Sequence, residues 1–291
     1  MPVPSHSTEH NRSRWQLPLL VALTLLAFAG NSVLGRLALA TTAIGPAAYT
    51  LIRLASGALT LAAWVHWRRR YANGVRQAGD WYGAVALFVY AAAFSFSYVS
   101  VATGLGALLL FGAVQITMVV AGILAGERPA AWHWLGLLGA FIGLVVLTRP
   151  GLDAPPLLGS ALMLAAGIAW GVYSLHGRRS RDPLAASAGN FARAGVLAAL
   201  LAVLVWPITP LPAAGVGYAL LSGIVTSGLG YALWYRVLPA LSAVRAASLQ
   251  LLVPVLAALA GAMVLAEPIT LRVVVSGALV LGGIALTLRR G

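Results

Sequence analysis

Aromatic and hydroxyl-bearing side chains recur one helical turn apart inside stretches that otherwise hold only apolar residues. Tyr90, Phe94 and Tyr98 share one helical face by three-and-four spacing, with Ser97 beside them. Trp170, Tyr173 and Ser174 lie one turn apart, and Tyr231 follows two glycines, Gly228 and Gly230, that permit bending or close helix approach. A tyrosine presents a ring for contact and a hydroxyl for orientation. Asn31, Gln115 and Gln250 add amides, costly to leave unpaired away from water, so each must bond a neighbouring helix or a polar guest. A pocket of these residues, without a central charge, suits a small neutral or zwitterionic molecule. A phosphate would call for several convergent Arg or Lys.

The charged residues set well inside the apolar stretches are Arg36, Arg53 and Arg193. An arginine can snorkel its head group towards water, so depth alone does not make a binding site. Structural or gating roles are expected for these three, for Glu127 and Glu267 at stretch ends, and for Pro254, which lacks a backbone donor and frees a carbonyl a turn earlier. Neither Asp nor Glu lies within an apolar stretch, which argues against a carboxylate proton relay. His66 and His133 are isolated, His-x-x-x-His and Asp-rich sets are missing, and the chain has no cysteine. No metal, cofactor or thiol chemistry is therefore expected, and an embedded enzyme would lack its nucleophile, base or metal.

These residues must be positioned by helices in lipid. The sequence is 60% apolar with 9% charge and a mean hydropathy of +0.91, whereas a soluble domain carries about 25% charged residues. Trp81 to Gly126 holds no charged residue over forty-six positions, room for two crossings of about 20 residues each. Ten spans are expected: 17–39, 46–67, 81–102, 105–126, 130–148, 156–177, 184–206, 213–235, 241–266 and 269–288. The net charge of +13 comes with nineteen basic residues, all arginine, clustered between the spans. That pattern is a topology signal rather than a nucleic-acid face. Arg12, Arg14, Arg68, Arg69, Arg70, Arg76, Arg128, Arg178, Arg179, Arg181, Arg236, Arg245, Arg289 and Arg290 fall on one side, and only Arg149 and Arg272 on the other. Both termini are thus expected in the cytoplasm.

The chain also repeats. Arg53 and Arg193 are 140 residues apart, as are Glu127 and Glu267, each of which is closely followed by proline. The next spans end alike, at Leu147-Thr148 and Leu286-Thr287, and Trp170-Gly171 echoes Ala29-Gly30 at nearly that offset. The expected organisation is a tail at 1–16, a five-helix repeat at 17–149, a linker at 150–155, a second repeat at 156–288 and a tail at 289–291. Five is odd, so the second half enters the bilayer from the opposite face, the usual basis of alternating access.

With Arg53 and its apolar run, Trp170-Gly171, and Pro254 thirteen residues before Glu267 on the page, the chain resembles the drug/metabolite transporter superfamily, specifically bacterial members built from two EamA-type repeats. The resemblance covers about residues 17 to 288. It implies an all-α polytopic fold and transport of small metabolites, with export of neutral amino acids the nearest match. Drugs, nucleosides or sugars, and import, are the alternatives within transport; an embedded enzyme or a scaffold stands outside it. The expected partners are a small solute and the bilayer, without nucleic acid, in a monomer, a homodimer being the other arrangement.

Overall fold

The computed structural model describes residues 7–69, 79–126, 131–148, 155–177, 180–205, 210–237, 249–250 and 252–287. All regular structure among them is helical. In order come α1 (Ser7–Thr41), α2 (Pro46–Arg69), α3 (Trp81–Tyr98), α4 (Thr103–Leu124), α5 (Ala131–Thr148), α6 (Leu157–Gly177) and α7 (Pro183–Leu204). Then α8 (Ala213–Leu221) runs without a break through a π-helical stretch, Ser222–Leu229, into α9 (Gly230–Val237), followed by α10 (Leu252–Leu265) and α11 (Leu271–Thr287). Local chemistry sets several starts. Asp80 accepts from the Gly83 N–H at 2.8 Å to cap α3, and Asp182 accepts from the Ala185 N–H at 3.2 Å to cap α7, each worth about 1 kcal/mol.

Among the described residues seven helices are long and apolar enough to cross a membrane: Gln16–Thr41, Pro46–Arg68, Trp81–Tyr98, Thr103–Leu124, Leu157–Gly177, Pro183–Leu204 and Ala213–Trp234. These match seven of the ten expected spans. The other three coincide with shorter apolar helices, Trp134–Thr148, Leu252–Leu265 and Leu271–Leu286. The 14 residues of α10 rise roughly 21 Å at 1.5 Å each, less than a hydrocarbon core of about 30 Å. The expected first half of that span, 241–248, lies outside the described residues. Large side chains such as Leu59, Leu124, Leu157, Leu204 and Met263 point outward and are exposed. In water so broad an apolar surface would drive aggregation; in lipid it is the natural outer face. The chain is an all-α polytopic membrane protein.

Packing repeats in a paired way once α8, the π stretch and α9 are counted as one helix. α2 packs on α7 and α5 on α11, each against the helix five places along. The α3–α6 contact has its counterpart in α1 against α8, the π stretch and α9. The α4–α6 contact is likewise mirrored by α1–α10, and α3–α7 by α2 against α8 and the π stretch. This exchange of partners is a packing pattern of the inverted-repeat kind.

Small residues make the crossings close. A Cβ on Gly283 of α11 would stand 2.5 Å from the Ala140 nitrogen and the Gly136 carbonyl oxygen of α5, and backbone cannot yield. Gly282, one position earlier, has nothing within 4 Å of its Cβ direction. Gly283→Ala should therefore destabilise by about 1–3 kcal/mol, read as a lower thermal midpoint in detergent, while Gly282→Ala should leave it unchanged. Equal midpoints for the two variants would contradict this packing.

Candidate functional site

Arg53 enters the interior on α2, seven residues past Pro46, and is only 2% exposed. Its Nε donates to Ser227 Oγ at 3.2 Å and its Nη2 to the Tyr90 hydroxyl at 3.0 Å. The guanidinium carbon also lies 4.7 Å from the Phe94 ring centre and 5.2 Å from that of Tyr90, where the negative ring faces attract a cation. Nη1 is buried and has no hydrogen-bond partner among the described residues. The expectation of a pocket without a central charge is thus corrected. Arg53 does not snorkel, because aromatic faces and hydroxyls converge on it from α3 and the π stretch.

The same hydroxyls continue into α1. Tyr90 Oη accepts from Asn31 Nδ2 at 3.2 Å, and Asn31 Oδ1 accepts from Ser222 Oγ at 2.8 Å and Thr226 Oγ1 at 3.1 Å. One network therefore ties α1, α2, α3 and the π stretch. A widened turn at a site of this kind is a common device. Here it carries Ser222, Thr226 and Ser227, all buried. Gly223 lets it sit on α2, since a Cβ there would run into the Ser56 hydroxyl and the Arg53 carbonyl.

Aromatic rings close the remaining walls. Trp170 of α6 stands 5.0 Å from Tyr90 and 5.2 Å from Tyr231, and Phe28 meets Tyr231 edge-on at 6.4 Å. The enclosed cavity is lined by Phe28, Asn31, Ser32, Arg53, Tyr90, Phe94, Leu110, Phe111, Trp170, Thr226, Ser227 and Tyr231. Its free volume is ≈ 20 Å³ for the centre of a water-sized sphere, room for one or two waters. A larger crevice of ≈ 970 Å³ between α4, α5 and α6 is mainly apolar and has no comparable polar convergence.

Of the expected pathway residues, Asn31, Tyr90, Phe94, Trp170 and Tyr231 line this cavity. The others are absent from its lining. Tyr98 is buried and donates to the Thr103 carbonyl at 3.3 Å. Tyr173 pairs with Ser187 at 2.9 Å, joining α6 to α7, and Ser174 bonds its own helix at the Trp170 carbonyl. Gln115 is buried on α4, Gln250 is half-buried, and Pro254 is buried within α10. Phe28, Ser32, Leu110 and Phe111 were missed. Phe28 was within reach, because it precedes Asn31 by one turn on α1.

The charged pairs lie at the two ends. At one, Arg36 Nε donates to Glu267 Oε1 at 3.1 Å and Nη1 donates to the Tyr98 and Val99 carbonyls, each at 2.9 Å. Glu267 Oε2 accepts from the Thr103 N–H at 2.7 Å. This clasp holds α1, the α3–α4 turn and the α10–α11 link together. Ala266 has φ 52°, a left-handed conformation that costs a side-chain-bearing residue about 1–2 kcal/mol, and it delivers Glu267 to the clasp. At the other end Arg68 pairs with Asp182, and His176 with Asp80 at 2.6 Å.

Arg193, the repeat partner of Arg53, does not reach comparable depth. It stays half-buried, bonds the Gly189 carbonyl at 3.1 Å and lies 5.9 Å over Trp81. Glu127 lies outside the described residues.

Burial raises the Asp80 carboxyl, but the Gly83 N–H and His176 outweigh it and hold the group below its ordinary 3.8. A depressed acid stabilises above that value and ceases to do so as pH falls through its folded-state pKa. In the interior, Tyr90→Phe should cost about 1–3 kcal/mol by leaving Arg53 and Asn31 each one acceptor short. A thermal midpoint unchanged from the parent would contradict the network.

Known proteins resemble this chain along nearly its whole length. A sequence profile of the EamA-like transporter family matches residues 157–289. An uncharacterized protein of Pseudomonas aeruginosa is 56% identical over 270 residues, 93% of each chain. The threonine/homoserine exporter RhtA of Escherichia coli is 30% identical over 290 residues, 94% of this chain and 93% of that one. A crystal structure superposes with a TM-score of 0.68 at 21% identity, over 93% of this chain and 96% of that one, a likeness of fold.

Proposed function

The chain belongs to the EamA-like transporter family of the drug/metabolite transporter superfamily, and we propose that it exports small neutral amino acids from bacteria by alternating access. The observation that carries this reading is the cavity around Asn31, Tyr90 and Trp170: small, polar at one wall and aromatic at the others. A similar chain named for threonine and homoserine export supports the substrate class.

Ten spans in two inverted halves, residues 17–149 and 156–288, complete the reading. The seven long and three shorter apolar helices are compatible with it. Threaded so, with both termini cytoplasmic in the inner membrane, Arg36, Thr103 and Glu267 fall together on the outer side. Asp80, His176, Arg68 and Asp182 fall together on the inner one, and both groupings agree with the contacts seen. Asn31, Tyr90, Phe94, Trp170 and Tyr231 would contact substrate. Tyr98, Tyr173, Ser174, Gln115 and Gln250 would support that wall, and the Arg36–Glu267 clasp would be the outer gate. A single chain contains the whole cavity, so a monomer suffices.

Proteoliposomes loaded with labelled threonine, homoserine or serine should empty faster than protein-free ones. Flux of a sugar, nucleoside or organic cation with no amino-acid flux would move the assignment to another solute. The gate has its own test, made clean by the absence of native cysteine. With Ser32→Cys as reporter, adding Glu267→Gln should speed labelling by an impermeant maleimide from outside about tenfold, the equivalent of about 1.4 kcal/mol. An unchanged labelling rate would remove the clasp from gating.

A further inference from the structure

A buried guanidinium with a spare donor needs an explanation that packing does not give. Among the described residues Arg53 has no carboxylate within ion-pair distance; the pairs present join Arg36 to Glu267, Arg68 to Asp182 and His176 to Asp80. The chain's six acids are Glu9, Asp80, Glu127, Asp153, Asp182 and Glu267, and none falls within an apolar stretch. A lone charge in a low-dielectric interior is expensive unless paired. Two ring faces and two hydroxyls offset part of that cost, yet Nη1 is left buried with no partner. It belongs to a residue that lines the closed cavity.

We propose that Arg53 is the carboxylate-binding residue of the transport site, and that the substrate's own carboxylate supplies the counter-charge missing from the protein. This rests on the transport reading above and narrows it. Every substrate of high affinity must carry a carboxylate, and the rest of the molecule is read elsewhere. A carboxylate on Nη1 would place an α-ammonium towards the aromatic walls of Trp170 and Tyr231, whose faces favour a cation. Substrate hydroxyls would find Asn31, Ser227 and Thr226 as partners. The Arg53 Nε–Ser227 and Nη2–Tyr90 bonds orient the guanidinium, so little freedom is lost on binding.

The chemistry distinguishes this from a purely structural arginine. A structural residue is missed when removed. A charge held ready for an anion destabilises the empty protein, and replacing it by an apolar side chain of similar volume relieves that burden. Arg53→Met should therefore raise the thermal midpoint of the purified, ligand-free protein while abolishing the upward shift that threonine produces in the parent.

The decisive experiment compares ligands on the unaltered protein and so does not depend on a variant folding. Thermal shift and counterflow in proteoliposomes would be measured with L-threonine, L-threoninamide and 1-amino-2-propanol, which share the hydroxyl and amine but not the carboxylate. The acid should bind about a hundredfold more tightly than either, the scale of a lost charge-assisted hydrogen bond to a buried donor. Arg53→Lys, which keeps the charge but not the planar fork, should retain part of that preference. Equal potency of acid and amide, or an acid preference that survives Arg53→Gln, would overturn the assignment while leaving amino-acid transport standing. If no amino acid moves, the transport reading falls on its own. Lactate against lactamide in the thermal-shift assay then decides the Arg53 assignment, which fails if lactate shows no preference.

Discussion

One buried positive charge, beside a cavity with room for one or two waters and with no carboxylate within ion-pair distance among the described residues, organises the interior of this protein. Arg53 draws the Tyr90 and Phe94 faces onto itself, takes the Ser227 hydroxyl from the π stretch, and through Tyr90 engages Asn31. These contacts bring four helical elements to one point. Coulomb energy falls off slowly in such surroundings, so the charge acts on every polar group around it.

The helices around that point divide into fixed and separable contacts. α5 and α11 cross through glycine-lined backbone contact, where neither can move without losing fit. The clasp of Arg36, Glu267 and the Thr103 N–H is different in kind, since it is polar, partly exposed and made between loops and helix ends. Breaking it loses a few hydrogen bonds that water can replace. A contact of this kind separates at a modest free-energy cost, whereas the α5–α11 crossing would lose close backbone packing.

Much of this was legible in the sequence, for definite reasons. An apolar run as long as Trp81 to Gly126 permits only a membrane reading. Three-and-four spacing puts Tyr90 and Phe94 on one face, and both line the cavity together with Trp170 and Tyr231. What spacing does not carry is direction. Arg53 and Arg193 are 140 residues apart in similar apolar surroundings, yet one lines the cavity and the other lies over Trp81 near a helix start. Arg53 meets the hydroxyls of Tyr90 and Ser227, which come from distant parts of the chain, whereas Arg193 meets the Gly189 carbonyl of its own helix. The π stretch was equally hidden: Ser222–Leu229 reads as an ordinary small-residue helix until Gly223 is seated on α2.

The account comes down to where a zwitterion's carboxylate rests. A structure determined with L-threonine bound would show it directly. The carboxylate should lie within hydrogen-bond distance of Arg53 Nη1, with the ammonium facing Trp170 and Tyr231. Density for threonine in the apolar crevice between α4, α5 and α6, or in the central cavity with its carboxylate turned away from Arg53, would contradict it.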